Sequence, residues 1–157
     1  VSQANFTLRA TTKNGMPFRQ GRSRKSHCTI LSIEVFLMRL FLRSKIHKAR
    51  VTEANVNYVG SITIDESLLI RAKIDEYEKV LVVNNTNGNR FETYVINGSK
   101  DSGVVCINGA AAHLAQAGDE VIIMSFHLVD KATELLMILV DEKNKFVKYL
   151  ICENMSP

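Results

Sequence analysis

The sequence has no stretch both long and apolar enough to span a bilayer. Its best candidate, Cys28 to Leu42, is interrupted by Glu34 and Arg39, so no membrane association is expected. It has no CxxC pair. Its three cysteines, Cys28, Cys106 and Cys152, leave an odd one over and read as reduced, mostly packed thiols of a cytoplasmic protein. The four histidines, His27, His47, His113 and His127, show no ligand spacing, so no metal is expected. No internal repeat is convincing. What remains is 157 residues with 46% hydrophobic content, enough for one buried core and hence one domain.

Acidic residues are nearly missing from the N-terminal part. Residues 1–44 hold eight Lys or Arg against the single acid Glu34, whereas residues 45–157 hold twelve basic and fifteen acidic residues. The net charge of +4 therefore belongs to the N-terminal segment, and the folded part lacks the positive excess that a phosphate backbone would attract. Residues 1–37 are Ser/Thr-rich, basic and aperiodic, and read as a disordered extension ahead of a domain at 38–157. Three roles remain open for them: a transit peptide, a polyanion-binding arm around Arg22-Ser23-Arg24-Lys25, or a stretch with no selected role. The last is preferred, because the chain starts at Val1 and Met38 stands just ahead of the organised sequence.

From Arg39 onward the pattern is short β-rich segments separated by turns. Strands are predicted at Leu40 to Arg50, with pairing reaching back into residues 33–42, and at Glu53 to Tyr58 and Ser61 to Ile64. Asp65 caps a short helix, Glu66 to Lys73, with Leu68, Leu69 and Ala72 on one face. Further strands are predicted at Lys79 to Asn84, Arg90 to Ile96, Val104 to Ile107, Glu120 to Phe126, Leu135 to Val140 and Phe146 to Leu150. Asn87-Gly88 supplies a positive-φ turn, and a small Ala-rich helical turn follows Asn108-Gly109. Many short strands with two short helices make the fold class mainly β, a small closed barrel.

Four segments carry more than fold. They are Ser44-Lys45-Ile46-His47, Asn57-Tyr58-Val59-Gly60-Ser61-Ile62-Thr63-Ile64-Asp65, Asn87-Gly88-Asn89-Arg90-Phe91-Glu92-Thr93-Tyr94 and Asn108-Gly109-Ala110-Ala111-Ala112-His113. In that order and spacing, over roughly residues 38–150, they resemble the pyruvoyl-dependent aspartate decarboxylases. The resemblance implies a six-stranded double-psi β-barrel, assembled as a homotetramer with sites shared between neighbouring subunits. It implies decarboxylation of L-aspartate to β-alanine, which feeds pantothenate synthesis. Two departures stand out: Val83 replaces an aromatic found in some relatives, and the stretch from Phe126 to Val140 lacks their acidic run and proline.

Losing carbon dioxide from an α-amino acid leaves a carbanion that needs an electron sink, and no ordinary side chain is a good one. The family resemblance implies a covalent pyruvoyl cofactor made from the chain itself, by cleavage between Gly60 and Ser61 that converts Ser61. Glycine lets that bond adopt conformations other residues resist, and serine brings the hydroxyl. By the same resemblance Thr93 and Asn108 help stabilise the oxyanion of processing. Arg90 and Lys45 hold the substrate carboxylates, a planar fork and a point charge. Gly109, Ala110 and Ala111 offer an approachable backbone, Tyr94 donates a proton, and His47 and Tyr58 support the site. Whether a maturation factor assists cleavage is left open by the residues. The alternative reading is an uncut β-barrel that binds acidic metabolites as a binding or assembly module.

Overall fold

The alternation of apolar and polar residues settles into strands where the sequence predicts them. The computed structural model describes residues 37–150. These form β1 (Arg39–Arg50), β2 (Glu53–Asn55), β3 (Ser61–Asp65), α1 (Glu66–Ala72), β4 (Lys79–Asn84), β5 (Arg90–Gly98), β6 (Val105–Asn108), β7 (Glu120–Val129), β8 (Leu136–Val140) and β9 (Phe146–Tyr149). A short 3-10 helix, Gly109–His113, follows β6. The readings made for residues 1–36, and those touching Cys28 and Cys152, lie outside the described residues.

All nine strands join one mixed sheet in the order β2-β6-β3-β5-β4-β7-β1-β8-β9. The pairs β2–β6, β3–β5 and β1–β8 are parallel, and the others antiparallel. Ile46, Ile62, Ile64, Val82, Val95, Ile107, Ile123 and Ile138 are completely buried, and they come from seven different strands. They share one cluster, so the sheet curls around a single core in the manner of a small β-barrel. No helix among the described residues is long and apolar enough to cross a membrane.

β1 shows how the core parity is kept. Ser44 and Ile46 face inward, but so do Ala49 and Val51, which an unbroken period of two would turn outward. An irregularity in pairing with β7 falls between Ile46 and Ala49, where Lys48 takes φ +66°. A bulge at this point adds one residue and resets the alternation.

The helix forms for the reason its sequence suggests. The Asp65 carboxylate accepts the Ser67 N–H at 2.8 Å, and also the backbone N–H groups of Asp101 and Gly103 at 2.9 and 2.6 Å. One buried side chain thus caps α1 and anchors the loop before β6. Leu68, Leu69 and Ala72 are buried, and the Ser44 hydroxyl donates to the Ala72 carbonyl at 2.5 Å, tying the helix end to β1.

Two strand ends differ most from the sequence reading, each by three residues, and other ends differ by one or two. β2 stops at Asn55, because the Asn55 side chain accepts the Asn57 N–H at 3.1 Å and bends the chain into a turn. β7 continues to Val129, because Arg39 to Leu42 supply partners for Phe126 to Val129. On the other side of the barrel, Asn84, Asn87 and Asn89 all donate their side-chain amides to the Leu114 carbonyl. They lock the β4–β5 turn against the segment that follows the 3-10 helix.

Candidate functional site

Strand register assembles the site around the Gly60–Ser61 bond. β3 runs antiparallel to β6 with Ser61 opposite Asn108 and Thr63 opposite Cys106. On its other edge β3 is parallel to β5, with Ile62 level with Val95, which brings Tyr94 alongside the bond. Ser61 is buried, and its Oγ accepts the Asn108 Nδ2–H at 2.9 Å. The same nitrogen donates to Thr63 Oγ1 at 3.0 Å, while the Cys106 thiol donates to Asn108 Oδ1 at 3.2 Å. The four side chains form a two-by-two polar array on one face of a two-stranded ribbon.

The backbone at the bond is strained. Gly60 has φ +110°, which glycine tolerates, but Ser61 has φ +117°, a conformation essentially reserved for glycine. Holding a serine there costs about 1–3 kcal/mol, which the surrounding structure must supply. Next to it Gly109 has φ +67°, and a Cβ on it would lie 2.7 Å from Gly60 Cα and 3.0 Å from the Tyr58 carbonyl oxygen. The space that a larger residue would fill is the seat of the Gly60 backbone.

The Gly60 carbonyl oxygen faces the Tyr94 hydroxyl at 3.5 Å, the long limit of a hydrogen bond. Thr93, one residue earlier and half-buried, pairs across β4 with Val80. Tyr58 is half exposed and Val59 almost fully so, which leaves the segment before the bond on the surface. Ala110 is exposed and Ala111 half-buried within the 3-10 helix. Asn108 caps that helix with its backbone alone, since its side chain is committed to Ser61 and Thr63.

Among the described residues, the other expected side chains make no hydrogen bond to this cluster. Arg90 begins β5, exposed, with its guanidinium donating to the Gly88 carbonyl at 3.3 Å. Lys45 and His47 lie on β1, and β5, β4 and β7 separate β1 from β3 in the sheet order. Among the described residues neither Lys45 nor Arg90 forms an ion pair. Among the described residues, His47 Nδ1 is buried without a hydrogen-bond partner. Burial, then the charges of Lys45 and Lys48, push the His47 pKa below its ordinary value, against an opposing pull from Glu120.

Thr63 and Cys106 escaped the sequence reading as site residues. The signal for Thr63 was its place two residues after Ser61 on a strand, which puts both hydroxyls on one face. Cys106 bears the same relation to Asn108. Burial, with Glu53 adding, raises the Cys106 pKa, so the thiol keeps its proton.

A buried hydroxyl beside a strained peptide bond, held by an amide donor, suits attack on the neighbouring carbonyl. A protein-family model described as aspartate decarboxylase matches residues 37–147. An aspartate 1-decarboxylase of Clostridium botulinum is 58% identical over 111 residues, covering 68% of this chain and 87% of that protein. The aspartate 1-decarboxylase of Acetivibrio thermocellus is 56% identical over 110 residues, with the same coverage. That of Bacillus cytotoxicus is 51% identical over 121 residues, covering 74% of this chain and 95% of the relative. With the matched region enclosing β1 to β8 and every residue of the site, the chain belongs to the aspartate decarboxylase family.

Proposed function

We propose that this protein is an aspartate 1-decarboxylase whose cofactor is a pyruvoyl group derived from Ser61. The observation that carries the reading is the buried Ser61 hydroxyl, hydrogen-bonded to Asn108 at a peptide bond flanked by two positive φ angles.

That geometry supports the following processing steps. Ser61 Oγ attacks the Gly60 carbonyl carbon and the amide nitrogen leaves, so the amide becomes an ester. Loss of the Ser61 Cα proton then breaks the Cβ–Oγ bond, giving a free Gly60 carboxyl end and a dehydroalanine. One water hydrolyses this to a pyruvoyl group and ammonia. Strain at Ser61 is relieved when the bond breaks, which favours the forward direction. Tyr94 supports the step by facing the carbonyl oxygen that gains negative charge. Thr93 completes the donor set in this reading, while Asn108, its two Nδ2 hydrogens engaged by Ser61 and Thr63, supports processing by holding the attacking oxygen.

The residues fit the group. Asn108 offers a donor where Ser61 sits, and Gly109, lacking a Cβ, opens room beside it once the Gly60 end has left. When present, a pyruvoyl carbonyl supplies the electron sink that decarboxylation needs. The chain's own residues do the rest. Arg90 and Lys45, both without ion-pair partners among the described residues, bind the two carboxylates of L-aspartate. Gly109, Ala110 and Ala111 give the ligand close access to backbone N–H groups. Tyr94 supplies the proton that the carbon takes up in place of carbon dioxide. His47 and Tyr58 line the site.

Lys45 and His47 lie away from Ser61 in the sheet, which supports a homotetramer whose neighbouring copies complete each other's sites. The reading keeps the family's double-psi connection, β-alanine as product and a cytoplasmic setting, and leaves open a helper protein for cleavage.

Intact mass on a denaturing column is the test. The expected result is two chains, 1–60 and a 61–157 fragment lighter by ammonia than one beginning with serine, with conversion of L-aspartate to β-alanine. A single full-length mass, unchanged by heat or host extract, would leave an uncut binding module and overturn the proposal.

A further inference from the structure

An asparagine amide has two ends of similar shape and opposite character: Oδ1 accepts and Nδ2 donates two hydrogens. Either end of Asn108 could face Ser61, with opposite consequences. With Nδ2 inward the Ser61 oxygen is the acceptor, and the amide stabilises the negative charge that grows on it as its proton leaves. With Oδ1 inward the hydroxyl would donate to it, and no amide donor would meet that charge.

The neighbours decide between them. On the Ser61 side there are two acceptors, Ser61 Oγ at 2.9 Å and Thr63 Oγ1 at 3.0 Å, one for each Nδ2 hydrogen. On the other side stands one partner, Cys106 Sγ, 3.2 Å from Oδ1. Turning the amide over would offer two N–H groups to that single sulfur and strand one of them in a buried site. The raised pKa of Cys106 keeps an S–H available to Oδ1.

We propose that Thr63 and Cys106 are positioning residues for Gly60–Ser61 scission: acting through Asn108, they hold its amide nitrogen on the Ser61 oxygen. The proposal rests on the processing read above. It names two residues on which the rate of processing depends although neither touches the bond that breaks.

The test follows the scission rate by intact mass at intervals after translation of the full chain, alone and with host extract, alongside Tm. Thr63→Val keeps the shape and removes the hydroxyl. It should slow scission about ten-fold, the effect of roughly one hydrogen bond, and lower Tm by only a few degrees, since one Nδ2 hydrogen loses its acceptor. Thr63→Ser should restore most of the rate. Cys106→Ala and Cys106→Ser, nearly equal in size, should differ in the same sense. Should the smaller residues leave too large a hole, Cys106→Val and Cys106→Thr repeat the comparison at a larger size.

The decisive readout is coupling. In an Asn108→Ala background, Thr63→Val and Cys106→Ala should cause no further slowing, whereas a merely structural role would slow it by the same factor again. Wild-type rates in Thr63→Val and Cys106→Ala, or undiminished slowing without Asn108, would overturn the inference while processing itself stood. A wild-type chain that never splits would overturn both.

Discussion

Gly109 holds Gly60 in place by having no side chain: a Cβ there would come within 2.7 Å of Gly60 Cα. The clash is with backbone, which cannot swing away as a flexible side chain could. Gly109 also has φ +67°, so any substitution adds conformational strain. Gly109→Ala should destabilise the protein by about 2–4 kcal/mol and block scission by displacing Gly60. Denaturant unfolding and intact mass check both; a stable variant that still splits would show that the seat is not needed.

Ser61 separates chemistry from strain. Ser61→Ala and Ser61→Gly both lack the hydroxyl, and neither should split. Only glycine is at ease at φ +117°. Ser61→Gly should therefore be more stable than Ser61→Ala by about 1–3 kcal/mol, reversing the usual order for a strand. Equal melting temperatures would mean that the bond carries no stored strain.

Among the described residues, Arg90 stands exposed at the start of β5 and makes no hydrogen bond to the array that holds Ser61. Arg90→Ala should leave scission intact and lower kcat/KM for L-aspartate at least about a hundred-fold, the loss of a charge-assisted pair. Unaltered kcat/KM would remove Arg90 from substrate binding, and a failure to split would move it into processing.

His47 gives a pH dependence of known sign. Its folded pKa lies below the ordinary value of 6.5, first through burial and then through Lys45 and Lys48. As pH falls through that value the unfolded chain takes up a proton at His47 that the folded chain resists, so the unfolded state binds more protons. Stability is whole above the unfolded pKa and declines as pH falls below it, until the folded pKa is reached. Tm should drop on going from about pH 7 to pH 5, and His47→Gln should remove part of that slope. Parallel Tm curves for the two proteins would contradict this.

The local features were readable because local chemistry makes them. Asp65 ahead of Leu68 and Leu69 announced α1, and Asn87-Gly88 announced the β4–β5 turn. The end of β2 was missed because Asn55 folds back on Asn57, a choice between strand and turn that composition leaves even. β7 was drawn short because its last residues pair with Arg39 to Leu42, far away in sequence. Lys45, Ser61, Arg90 and Tyr94 were legible only as members of motifs; each alone would pass for an ordinary strand or surface residue. For Thr63 and Cys106 only the strand parity with Ser61 and Asn108 was legible, and not their roles. They depend on β3 and β6 meeting in one register, and a slip of one residue would turn either pair to opposite faces.

β1 lies inside the sheet, matched to β7 on one edge and β8 on the other, while β2 closes the far end against β6. A cut after Gly60 would thus leave the shorter piece threaded through the longer one, with no covalent link and no easy exit. Folding and cutting would then have a fixed order, for the intact chain folds as one molecule and a severed one must find its other half. Heat or denaturant would turn a unimolecular equilibrium into a bimolecular one, and recovery would depend on protein concentration. The sheet would remember that it was built from a single strand of polypeptide, and, once taken apart, the mature protein would return only as fast as two pieces meet.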